Sequence, residues 1–188
     1  MSIGITAKST GAILNFNKLT AAIRPIANHA GFSFSCDNKD KSITLNFTDN
    51  GVVNITYQTE PDGKIIAIDS QTSVLGPGFH CLVVDLLDAI TDLTEIEFEV
   101  EDDTQFYYER DFENMRTQHF CGWLKQIVQI LKSKESGDHN NLMLNWELSW
   151  PIPCDIPGSV VTPFGRLNIT GLLNSVDSEG IESLAERF

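Results

Sequence analysis

Nine acidic side chains crowd into residues 95 to 113: Glu95, Glu97, Glu99, Glu101, Asp102, Asp103, Glu109, Asp111 and Glu113, with Arg110 the sole basic residue among them. Residues 95 to 101 alternate strictly between Glu and an apolar residue, the pattern of a strand. Strand geometry then puts the four glutamates on one face, about 7 Å apart. Carboxylates in such a row repel one another, weakly in water and more strongly under a covering partner. The chemistry they offer is docking of Lys and Arg groups, where charge sets association rate and specificity. The same pattern also serves as a solvated outer face that protects a sheet edge from aggregation. Asp102 and Asp103 extend the row, and Tyr107 and Tyr108 follow it. Tyrosines are favoured anchors in binding surfaces. They can equally fix the entrance of a following helix whose N-cap is Asp111. No Asp-x-Asp-x-Asp-Gly loop accompanies the acids, so calcium is not expected.

A second candidate is the turn Gly76-Pro77-Gly78-Phe79-His80, which opens a helix directly after a strand and loop. A helix N-terminus presents N–H groups and a positive dipole end, so Gly76, Gly78 and His80 could line an anion or small-ligand site. The Lys and Ser/Thr of a phosphate-binding loop are absent, and a tight turn that lets the helix pack closely explains the glycines as well. The four histidines, His29, His80, His119 and His139, are scattered. There is no H-E-x-x-H, no G-x-S-x-G and no C-x-x-C pair. Cys36, Cys81, Cys121 and Cys154 therefore read as reduced small hydrophobes. No catalytic residue, cofactor or metal site is expected.

The elements that must position these residues follow from periodicity. The N-terminal residues read as a first strand. Leu19, Ala22, Ile23, Ile26 and Ala27 give a helix over about 17 to 30, with Pro25 inside it and Gly31 as its stop. Four alternating segments follow, on Phe32/Phe34/Cys36, Ile43/Leu45/Phe47, Val53/Ile55/Tyr57 and Ile66/Ile68. The breaks between them are rich in Asp, Asn, Gly and Pro, which predicts an antiparallel four-stranded meander. A second helix carries Val83, Leu86, Leu87 and Ile90 inward, the glutamate strand is the fifth strand, and a third helix runs from about Asp111 to Lys132. Residues 136 to 141 are a polar break, Leu142, Leu144, Trp146 and Leu148 a further strand, and 150 to 163 a Pro-rich irregular crossing. A last helix fits 178 to 188. The order helix, four strands, helix resembles that of the small α+β folds of bacterial secretion chaperones, without a shared motif.

The expected fold class is α+β: a mostly antiparallel sheet, a four-stranded meander plus a fifth strand, covered by about three helices. Residues 1–139 form the core domain and 140–188 a C-terminal extension or sub-lobe packing on it. The net charge is −13, from 26 acids against 13 Lys and Arg, which disfavours nucleic acid and anionic membrane surfaces. It favours steered encounter with a cation-rich protein. With no export signal or apolar span, a cytoplasmic soluble protein is expected. The functional expectation is a non-enzymatic, immunity-protein-like or chaperone-like module engaging a basic partner. The alternatives are a small-ligand protein or enzyme with its site at the Gly76–His80 turn, and a structural piece of a larger protein.

Overall fold

Alternation in the first residues, with Ile5 and Ala7 buried and Thr6 and Lys8 exposed, makes Gly4–Thr10 the strand β1. The computed structural model of the chain describes residues 2–10, 15–48, 51–60, 63–73, 75–126, 144–145, 159–162, 165–168, 174 and 177–180. Helix α1 (Phe16–His29) follows β1, buries Phe16, Leu19, Ile23 and Ala27 at helical spacing, and keeps Pro25 within it. Its N-cap is Asn15, whose side chain accepts the Lys18 N–H. Gly31, at φ +83°, ends it: the Phe32 N–H reaches Ala27 O at 2.8 Å and the Gly31 N–H reaches Asn28 O at 3.3 Å. That pair of bonds satisfies two of the carbonyls a helix leaves open at its C-terminus.

The meander is present as β2 (Ser33–Asp37), β3 (Ser42–Thr48), β4 (Gly51–Glu60) and β5 (Gly63–Gln71), each antiparallel to the next. Helix α2 (Pro77–Thr94) then leads to β6 (Glu97–Asp102). The sheet has six strands in the order β2-β3-β4-β5-β1-β6. It thus holds one strand more than the meander plus one, because β1 is inserted between β5 and β6 and pairs antiparallel with both. The fold is α+β. Its sheet buries one face, through Ile5, Ile43, Leu45, Val53, Ile55, Ile66, Ile68 and Val100. Along α1 the contact with that face includes Phe16, whose ring meets the Tyr57 ring of β4 edge-on at 5.8 Å. On α2 the buried set is Val83, Val84, Leu86, Leu87 and Ile90.

These elements, Gly4–Gln71 with His80–Glu109, form one compact unit. Met1–Ile3, Thr72–Phe79 and Arg110–Phe188 form the other. In the second unit the N–H groups of Thr72 and Ser73 both bond Ile3 O, at 2.9 and 3.1 Å. Its helix α4 (Phe112–Asn114) is capped by Asp111, whose side chain accepts the Asn114 N–H at 3.0 Å, and passes into a π-helical turn (Met115–Phe120) before resuming over 121–126. The Cys121 N–H bonds Arg116 O, five residues back. Met115 and Phe120, five apart, would diverge on an α-helix, and the wider π turn lets both be buried with Trp123 and Leu124. A small sheet of β7 (Leu144–Asn145), β8 (Ser159–Thr162) and β9 (Gly165–Asn168) completes the described part of this unit. The expected polar break at 136–141, most of the Pro-rich crossing and most of the last helix lie outside the described residues.

Candidate functional site

β6 is a terminal strand of the six-stranded sheet, and its alternation sorts the acids by face. Glu97, Glu99 and Glu101 are exposed on the outer face, opposite Thr10, Lys8 and Thr6 of β1 in turn. Phe98, Val100 and Asp102 take the inner face, where Val100 and Asp102 are buried. Two expectations are corrected here. Glu95 is not in the strand: at φ +55°, with its N–H on Thr91 O at 2.8 Å, it ends α2, so the row holds three glutamates rather than four. Asp102 does not belong to the docking face, because the period of two that exposes the glutamates carries it inward, and its side chain is 0% exposed.

Asp102 instead organises the loop that follows. One carboxylate oxygen, Oδ1, accepts the Thr104 N–H at 2.7 Å and the Thr104 hydroxyl at 2.8 Å, and Oδ2 accepts the Tyr107 N–H at 2.8 Å. His80, from the first turns of α2, places Nε2 3.2 Å from Asp102 Oδ1 and 3.1 Å from Thr104 Oγ1. Burial raises the Asp102 pKa, but the His80 hydrogen bond and charge and the Thr104 and Tyr107 N–H groups outweigh it, lowering it from 3.8 to about 2. The carboxylate is therefore ionised and only accepts. Thr104 spends its one hydroxyl hydrogen on Asp102, so Nε2 of His80 must carry a hydrogen to meet either oxygen.

This arrangement resembles a nucleophile–base–acid set in composition only. A general base must present an unprotonated nitrogen to the hydroxyl while its other nitrogen faces the carboxylate. Here the hydroxyl and carboxylate share one nitrogen, and the Thr104 oxygen also accepts the Phe106 N–H at 3.2 Å. His80 is 0% exposed. What the cluster does is clamp: it ties the start of α2 to the end of β6 and fixes residues 103 to 107. Of the turn residues considered beside it, Gly76 and Gly78 are buried, and Gly76 has φ +85°.

The clamped loop presents the tyrosines through a short helix, α3 (Phe106–Glu109). Tyr108 is 61% exposed and Tyr107 half-buried, their rings edge-on at 5.0 Å. The Tyr108 hydroxyl donates to Val100 O at 2.8 Å, and the Gln105 N–H to Asp102 O at 3.2 Å. Since the Asp103 N–H points at Gly4 O of β1, alternate residues Val100 and Asp102 direct their carbonyls to the opposite, outer edge of β6. The loop thus covers two of the carbonyls, those of Val100 and Asp102, on the edge where another strand would add. Asp103 is exposed, and its Oδ2 accepts the Gly4 N–H at 2.9 Å.

Of the residues expected from the sequence, Glu97, Glu99, Glu101, Asp103, Tyr107 and Tyr108 lie on β6 and in the loop after it, whereas the clamp was not expected. Asp-x-Thr after a strand was the available signal for it, since that spacing favours a side-chain-to-backbone turn. Comparison with protein-family models, curated proteins and solved structures gives no match. No described helix is long and apolar enough to cross a membrane. Among the described residues no three His, Cys, Asp or Glu side chains gather as a metal would require.

Proposed function

We propose that this protein is a non-enzymatic binding module, of the immunity-protein or chaperone-like kind, that engages a basic protein through the outer face of β6. The observation that carries the reading is the exposed row Glu97, Glu99 and Glu101, bordered by exposed Asp103 and by Tyr108 at 61% exposure. The carboxylates sit on a paired strand rather than a free loop, so their spacing is fixed before a partner arrives. Their field speeds encounter with Lys- and Arg-rich surfaces, and Tyr108 supplies apolar contact at low entropic cost. Because the edge carbonyls of Val100 and Asp102 are already bonded, strand addition is disfavoured at that end of β6 and side chains carry the contact.

The test is affinity capture from native lysate at low and high salt, followed by kinetics with the captured protein. A basic partner held at low salt and released at high salt fits the reading. Changing Glu97 and Glu99 to Lys should then slow association on the order of ten-fold and flatten its salt dependence. Unaltered kinetics in the double variant would end the proposal.

A further inference from the structure

Tyr57, on β4, is 6% exposed, and its hydroxyl oxygen is buried without a hydrogen-bond partner among the described residues. Two ammonium groups stand over its ring: Nζ of Lys41, from the turn before β3, at 5.7 Å from the centroid, and Nζ of Lys64, from β5, at 5.9 Å. Both distances are near the outer limit of about 6 Å for attraction to a ring face, so the ring alone is a weak reason for two cations to gather. In a chain with 26 acids and 13 Lys and Arg, neither lysine has a carboxylate within ion-pair distance among the described residues. Against the same ring lies Phe16, the first residue of the 14-residue helix α1. That helix has no acid in its first turn, where Lys18 stands instead. Asn15 satisfies the N–H groups of Lys18 and Leu19, both at 3.0 Å. The N–H groups of Phe16 and Asn17 have no acceptor among the described residues.

We infer that Lys41, Lys64, the Tyr57 hydroxyl and the start of α1 form a binding site for a phosphate group. Two ammoniums supply charge, one from the turn before β3 and one from β5, and the phenol and two helix N–H groups supply directed donors. A tetrahedral dianion with several acceptor oxygens answers that set better than a planar monoanion, and the positive end of the helix adds to it. Movement of the flexible lysine side chains would open the phenol oxygen to the anion.

The probe is inorganic phosphate, titrated into the full chain at constant ionic strength while amide resonances are followed. Saturable shifts of the Phe16 and Asn17 amides at millimolar phosphate or below are expected, with acetate at least ten-fold weaker. Because both lysines are exposed, Lys41→Gln with Lys64→Gln should leave the fold intact and weaken binding ten-fold or more. Tyr57→Phe should weaken it about ten-fold, as expected for one hydrogen bond to a charged group. A Lys39→Gln control should match the parent. Shifts that do not saturate, acetate binding as tightly as phosphate, or undiminished binding in the double variant would each overturn the assignment.

Discussion

Replacing Asp102 with alanine removes a carboxylate that accepts from Thr104 N, Thr104 Oγ1, Tyr107 N and His80 Nε2 at 2.7 to 3.2 Å, the Thr104 and His80 donors being buried. Leaving buried donors without their acceptor costs about 1–3 kcal/mol per group, a large part of the roughly 5–15 kcal/mol that holds a domain folded. With a urea slope of about 1–3 kcal/mol per molar, the unfolding midpoint should fall on the order of 2 M at pH 7. Proton linkage gives an independent check. The folded-state carboxyl titrates at about 2 and the unfolded one near 3.8, so the folded state binds fewer protons between those values. Its contribution, about 2 kcal/mol by that shift, is fully present above the unfolded value and is lost as pH falls through about 2. The stability gap between the parent and Asp102→Asn should therefore narrow as pH falls below about 4. A loss under 1 kcal/mol for Asp102→Ala, or a gap that stays flat between pH 5 and 2, would refute the account of the clamp.

Other expectations are as direct. Tyr108→Phe loses the bond to Val100 O, so it should cost about 0.5–1.5 kcal/mol in urea unfolding. It also bares an edge carbonyl, and light scattering should show more concentration-dependent association. Gly31→Ala forces a Cβ into φ +83° at the end of α1 and should cost about 1–2 kcal/mol, while Gly31→Asn should cost less, both read from thermal unfolding. A Cβ at Gly4 would lie 2.9 Å from Ser70 O, a backbone atom of the paired strand β5, so Gly4→Ala should cost about 1–3 kcal/mol by strand displacement.

Local pattern carried most of the larger unit. The meander was legible because each strand alternates and each break holds residues suited to tight turns, and α1 because its apolar spacing ends on a glycine. The place of β1 was not legible, since alternation says which face a residue takes and nothing about which strand lies beside it. Glu95 was misread because a helix-ending residue in the left-handed region leaves no break in a Glu-x-Glu pattern. Asp102 was within reach of the same alternation that grouped the glutamates, and a charged residue on the buried face was the clue to the clamp. The five-residue gap from Met115 to Phe120 was likewise the sign of the π turn. The two lysines over Tyr57 had no sequence signal, because Lys41 and Lys64 reach that ring only through the pairing of β3, β4 and β5.

The insertion of β1 between β5 and β6 also orders events in time. The meander can form from near neighbours in the chain, but β1 cannot be enclosed until β6 exists, and the Gly4–Asp103 bond joins residues 99 apart. On a ribosome β1 can join β5 once the meander is made, but its other edge must wait for β6, the last strand of the sheet. That interval leaves the β1 edge unpaired, and it closes when the acidic strand arrives and the loop behind it bonds the outward carbonyls of Val100 and Asp102.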